Sequence, residues 1–178
     1  METVDVPKIE RNSLGYLIAK SPYAWGALKA KILNNDFDFG RSEEMQIKYM
    51  YRLATIRDEW ESIDDYCKHA FLDFPLSIKL VLRPDGSHGM VKYVQDDAKP
   101  NKPWIKIHFN EFPYFFSPGI QHYLLWSVEY VSSQYFLPLI EDTFPSSSYN
   151  VLWFENSLKK KSVKSVFHVH LVVRKHQV

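Results

Sequence analysis

The sequence predicts an α+β fold built on an antiparallel sheet, and three observations carry that expectation. Helical periodicity dominates the first 73 residues. Apolar and alternating runs separated by Pro and Gly dominate from Pro75 onward. One helical stretch interrupts those strands instead of alternating with them, which argues against a parallel sheet. The expectation is a single domain over 1–178, with an N-terminal helical region over 1–73 preceding a sheet part over 74–178.

Taken in order, Ser21-Pro22 reads as a helix start, with Ser capping and Pro at the first helical position. Trp25, Leu28 and Ile32 follow at helical spacing until Asn34-Asn35 interrupts. A second helix is expected from Ser42, because Glu43 and Glu44 complement the positive end of the helix dipole. Ile47, Met50, Tyr51 and Ala54 form its apolar stripe. After a break near Asp58, Trp60, Ile63, Cys67, Ala70 and Phe71 extend a similar stripe. Ile78 to Leu82 and Met90 to Val94 read as a hairpin around the Pro84-Asp85-Gly86 turn. Asp96 to Pro103 is a polar, proline-bearing loop. Trp104 to Phe109 alternates, and Ile120 to Trp126 supplies another strand. Ser127 is expected to cap a helix bearing Val128, Val131, Tyr135 and Phe136 that ends or kinks near Pro138. Asn150 to Phe154 and Ser165 to Arg174 complete the strands.

Composition narrows the function classes. Hydrophobic residues make up 46% of the 178 and charged residues 24%, the balance of a folded protein. A net charge of +1 gives no general attraction to nucleic acid or to a membrane surface, although Lys159 to Lys161 forms a local basic run. That run is read first as a solvated loop and second as a collector of phosphate charge. One cysteine, Cys67, excludes an intrachain disulfide and a cysteine-rich zinc site. The N-terminus has no secretory pattern, and no apolar run reaches the ~20 residues of a membrane helix. A soluble, intracellular protein is expected, with no cofactor and no membrane partner.

The last strand carries the chemistry. Side chains alternate along a strand, so Phe167, Val169, Leu171 and Val173 share one apolar face, while His168 and His170 share the other. Two imidazoles about 7 Å apart on one strand can address one ligand, by proton transfer, nucleophilic attack or metal ligation near neutral pH. The plain alternative is a surface strand with two solvated histidines. A zinc site of His122, His168 and His170 is a further alternative, weakened because no carboxylate recurs nearby.

Asn156, Ser165, Val166, His168 and His170, with apolar Val169 and Leu171 between, resemble the signature of the histidine-triad (HIT-like) nucleotide-binding superfamily. In that signature an Asn leads through a flexible loop to Ser-Val-x-His-φ-His-φ-His, φ being apolar. Two departures stand out: Val172 occupies the third histidine position, and lysines replace the loop glycines. Asn110 through Leu124 has the outline of the superfamily's strand, proline-bearing loop and second strand, which brings His122 into register with the pair. The resemblance implies a HIT-like antiparallel sheet and a nucleotide or nucleotide-sugar hydrolase or transferase acting at an α-phosphate. It places His170 as the nucleophile, His168 as an orienting partner and His122 packed beside His170. Ser165 and the Val166 amide would meet phosphate oxygens, Asn156 phosphate or ribose, and Asn110 ribose hydroxyls. Two alternatives stay open: a catalytically silent protein that binds the same ligands, and a structural or interaction protein presenting Tyr23, Trp25, Phe37 and Phe39.

The whole chain is also similar to the fungal N-acetylglucosamine-induced proteins. The shared features are Arg41-Ser42, Tyr49, Glu59-Trp60, Ile63-Asp64-Asp65-Tyr66, Asn110, Phe112-Pro113-Tyr114 and the terminal histidine elements. This resemblance implies a cytoplasmic fungal protein linked to amino-sugar metabolism.

Overall fold

Strand β8 (Phe167–Lys175) comes last in the described chain but lies inside the sheet, and its placement explains where the functional residues go. It pairs antiparallel on one side with β6 (Ile120–Ser127) and on the other with β7 (Tyr149–Phe154); β5 (Ile105–Phe109) pairs with β6, giving the order β5-β6-β8-β7. The structure is a computed structural model that describes residues 6–95, 105–156, 163 and 165–176. The expected Asp96–Pro103 loop, Trp104 and the Lys159–Lys161 run lie outside the described residues.

Both faces of β8 are buried. Phe167, Val169, Leu171 and Val173 pack with Leu125 against Phe136, Ile140 and Phe144 of helix α4 (Ser133–Thr143). The opposite face presents His168, His170 and Val172, beside His122 and Trp126 of β6. The alternation read from the sequence therefore holds, but the reading of two solvated histidines does not: each is 5% exposed. A strand buried on both faces has no water-facing side, so its polar positions must find partners inside the protein.

Three helices and two hairpins cover the histidine face. A short hairpin of β1 (Ile9–Arg11) and β2 (Leu17–Ala19) precedes α1 (Trp25–Leu33), α2 (Glu43–Glu59) and α3 (Ile63–Leu72). The helices expected over 1–73 thus occupy 25–72, behind the β1–β2 hairpin, so no separate N-terminal helical region forms. Strands β3 (Leu76–Leu82) and β4 (His88–Val94) make the expected hairpin. The result is α+β with antiparallel sheets. Among the described residues, no helix is long and apolar enough to cross a membrane.

Local chemistry accounts for most boundaries. The Ser42 side chain accepts the Met45 N–H and Ser62 accepts the Asp65 N–H, with acidic residues in both first turns. Asn34 ends α1 and Asn35 follows at φ 54°, a conformation Asn tolerates. Three expectations fail. Helix α1 begins at Trp25 with Ala24 as its cap residue, because the Tyr23 N–H and C=O are taken by Phe115 and Ser117 and cannot enter a helix. Helix α4 begins after Ser132 instead of Ser127, since β6 runs through buried Ser127; it also continues past Pro138, whose missing bond would reach Gln134 on the exposed side. In α2 the buried positions are Gln46, Leu53 and Ile56, while Ile47 and Tyr51 of the expected stripe are exposed.

Candidate functional site

The departure in α2 leads to the site. The inner side of that helix faces a cavity of about 380 Å³ closed by α3, the sheet and the segment after β5. Polar walls include Arg41, Arg52, Arg57, Asn110, Glu111, Asn156, His168 and His170; Tyr49, Tyr66, Phe71, Phe112, Tyr114 and Trp126 supply aromatic surface. The volume falls in the range of small-molecule sites, which run from roughly 300 to 1,000 Å³.

Arg41 is placed by a backbone crossing that only glycine permits. A Cβ on Gly40 would lie 2.5 Å from the Ala19 nitrogen and 2.8 Å from the Ile18 carbonyl carbon. Here the Ala19 N–H donates to the Arg41 carbonyl (2.9 Å) and the Phe115 N–H to the Gly40 carbonyl (3.0 Å). The Arg41 Nε–H then donates to the Phe112 carbonyl (2.9 Å), and its guanidinium sits 4.0 Å from the Tyr49 ring centre and 5.2 Å from that of Tyr114. Arg52 donates to the Tyr66 hydroxyl at 3.2 Å. Among the described residues no carboxylate is in ion-pair contact with Arg41 or Arg52, while the Tyr66 hydroxyl and, after it, the charges of Glu111 on the cavity wall and of Glu59 favour the charged form of Arg52.

The histidines come from two neighbouring strands. Leu124 lies opposite His170, Trp126 opposite His168, and His122 opposite Val172. The position of the missing third histidine is therefore filled by a valine packed against a histidine from the adjacent strand. The His122 Nε2 and His170 Nδ1 atoms are 2.9 Å apart. His122 Nδ1 meets the Tyr114 backbone N–H at 3.3 Å and Asn110 Nδ2 at 3.2 Å. The Asn110 amide is oriented by its oxygen, which accepts the Phe112 N–H at 3.0 Å. Burial, and secondarily the Arg41 charge, pushes His122 down to about 3, so it is neutral.

Aromatic rings hold the imidazoles in place. Phe154 stacks on His170 at 4.8 Å and 6°, and Trp126 lies 4.9 Å from His168. His168 Nδ1 is 3.2 Å from the Val166 carbonyl. Asn156 Nδ2 lies 2.9 Å from His170 Nε2 and 3.2 Å from the Tyr114 hydroxyl, while its Oδ1 has no partner among the described residues. Trp126 Nε1 is likewise a buried donor without a partner among the described residues.

Of the sequence-derived candidates, His168, His170, Asn110 and Asn156 line the cavity, and His122 supports His170 from behind. Ser165 and Val166 stand apart from it. The Ser165 hydroxyl donates to Asp64 of α3 (2.5 Å), and Val166 is packed among Cys67, Leu72 and Trp126. No three His, Cys, Asp or Glu side chains among the described residues form a metal-binding group. Sequence reasoning assigned no role to Arg52 or Trp126, and noted Arg41 and Tyr114 only as parts of a shared pattern. Gly40-Arg41 directly before a capping serine was the available signal.

A family profile described as "Protein of unknown function (DUF3605)" matches residues 24–135. The N-acetylglucosamine-induced protein 1 of Candida albicans is 26% identical over an alignment spanning 86% of this chain and 68% of that protein. The crystal structure of HTC1 superposes with a TM-score of 0.55 at 22% identity, covering 85% of this chain and 84% of HTC1. That likeness is one of fold.

Proposed function

The chain belongs to the DUF3605 family of proteins of unknown function, and from that premise we propose that its cavity binds a nucleotide or nucleotide sugar and acts at the α-phosphate as a hydrolase or transferase through a histidine nucleophile. The observation that carries this reading is the meeting of Arg41 and Arg52 with His168 and His170 in one cavity. Arginine is suited to phosphate because its planar donors match two oxygens at once. The aromatic wall of Tyr49, Tyr66 and Trp126 offers faces for a base or sugar ring, and Asn110 and Asn156 supply polar groups. A HIT-like sheet is part of this proposal, supported by the antiparallel β6-β8-β7 arrangement with the histidine pair on β8. The induction named for the Candida albicans relative supports an amino-sugar ligand such as a uridine diphosphate sugar. A cytoplasmic location fits the same role.

Titration calorimetry tests the proposal with UDP-N-acetylglucosamine, UMP, AMP, inorganic phosphate and free N-acetylglucosamine. Micromolar binding of a phosphorylated compound is expected, with free N-acetylglucosamine at least ~100-fold weaker. Arg41→Ala is expected to cost about 2–3 kcal/mol of that binding, the scale of a charged hydrogen bond. Failure of every phosphorylated compound to bind the wild type would refute the reading. A second reading, a silent binding protein, is favoured by one observation: both ring nitrogens of His170 already face partners, His122 and Asn156. Binding without turnover of any of these compounds would select it.

A further inference from the structure

We infer that the outer face of the β3–β4 hairpin is the contact surface of a homodimer, each copy laying its apolar face on that of the other. Strand β3 alternates strictly, Leu76-Ser77-Ile78-Lys79-Leu80-Val81-Leu82, so one face collects four large apolar side chains. In a strand that covers its own core these are the buried set. Here they are the exposed one. Leu76, Ile78, Leu80 and Leu82 are 41–69% exposed, and Met90, opposite Leu80 on β4, is 59% exposed.

The other face and the β4 edge are what the hairpin gives to its own chain. On that face Lys79 pairs with Glu61 and Arg83 with Asp58. Along the edge the Glu61 N–H donates to the Lys92 carbonyl (2.9 Å), and the Val94 N–H donates to the Asp65 carboxylate (3.4 Å). A one-residue shift of register would exchange the two faces and turn the leucines inward. The ion pairs and edge bonds hold the opposite arrangement, with the charged side chains tied to the body and the apolar side chains in water.

Three features make a second copy of this chain the occupant. The first is charge. Lys79, Arg83 and Lys92 are matched by Glu61, Asp58 and Glu59, so the hairpin offers little attraction to an anionic lipid surface or to nucleic acid. The second is area. The five apolar side chains present on the order of 500 Å², the size of the largest patch on a typical monomer. Two such patches bury about 1,000 Å² together, which reaches the lower limit of a specific interface. The third is the layout of the patch. Leu80 and Met90 lie at its middle, while His88 opposite Leu82 and Lys92 opposite Ile78 give it polar ends. A two-fold axis near Leu80 therefore sets apolar centre on apolar centre, the self-complementary form of an isologous contact. Pairing along the β3 edge would leave the face in water, so the second copy lies on the face.

Sedimentation velocity of the whole chain tests the inference. At about 100 μM the wild type is expected at twice the 21.0 kDa chain mass, with a dissociation constant on the order of 10 μM. Leu80→Asp, at an exposed position, is expected to raise that constant at least ~100-fold and to keep the wild-type urea midpoint. A wild type that stays monomeric overturns the inference, and its co-sedimentation with phosphatidylcholine vesicles would assign the face to lipid instead. A dimer that survives in Leu80→Asp overturns it as well. Cross-linking under mild oxidation gives a readout that does not depend on that variant, since Cys67 is buried. Leu80→Cys is expected to form a disulfide-linked dimer, and Ser77→Cys, on the opposite face, is not. Equal behaviour of the two cysteine variants overturns the placement of the contact.

Discussion

His122 shows how one buried side chain ties site geometry to stability. It is 1% exposed, and burial pushes it down to about 3 from an ordinary value near 6.5. A histidine depressed in the folded state stays neutral there while the unfolded chain takes up the proton. Its effect is therefore absent above the unfolded value, and stability is lost as pH falls from 6.5 toward 3. At about 1.4 kcal/mol per pH unit, His122 alone is expected to remove roughly 2–3 kcal/mol by pH 4.5. Urea midpoints at pH 7 and 4.5 check this, with His122→Gln expected to flatten the difference; an unchanged pH dependence in the variant would assign the loss elsewhere. The alternation that put His168 and His170 on one face, and His122 in register with them, was legible in the sequence because a strand has a period of two. The partners of His122 and the placement of the guanidinium groups were not legible. They depend on the Tyr114 and Phe112 backbones and on a crossing at Gly40, contacts 8 to 75 residues apart that no local period records.

At the scale of elements, helix α2 marks the limit of hydrophobic periodicity. The apolar residues Ile47 and Tyr51 define a stripe in the sequence, but the helix turns Gln46, Tyr49, Leu53 and Ile56 inward because that side borders a cavity with polar walls. The rule fails where a helix meets a ligand space in place of an apolar core. The caps Ser42 and Ser62, the β3–β4 turn and the strand boundaries were readable because each is decided by a few neighbouring residues. The start of α4 was not, since it depends on how far β6 stays paired. The Gly40 crossing supplies a test at this scale. Gly40→Ala places a methyl against the β2 backbone, and the expected cost is about 1–3 kcal/mol in urea unfolding, with weaker phosphate-ligand binding because Arg41 follows directly. A variant as stable as wild type would show that β2 gives way at no cost.

Considered whole, the molecule builds its cavity from residues 16 to 170, so filling the cavity links the helical layer to the sheet. Cys67 of α3 reports on that link: it borders the cavity, is 3% exposed, and burial pushes its thiol up, away from the reactive thiolate. Labelling by a disulfide reagent is expected to be at least ~100-fold slower in the folded protein than in urea, and slower again with UDP-N-acetylglucosamine at 100 times its dissociation constant, where binding adds about 2.7 kcal/mol. Rapid labelling of the folded protein, indifferent to ligand, would mean that α3 opens independently of the sheet. The sheet order has one more consequence, which concerns synthesis. A ribosome makes β6 and β7 before β8, the strand that separates them. While β8 is still being translated, two strand edges stand unpaired and invite contact with other nascent chains. The histidine pair arrives on that same late strand, so a nascent chain acquires its site only as it closes its sheet.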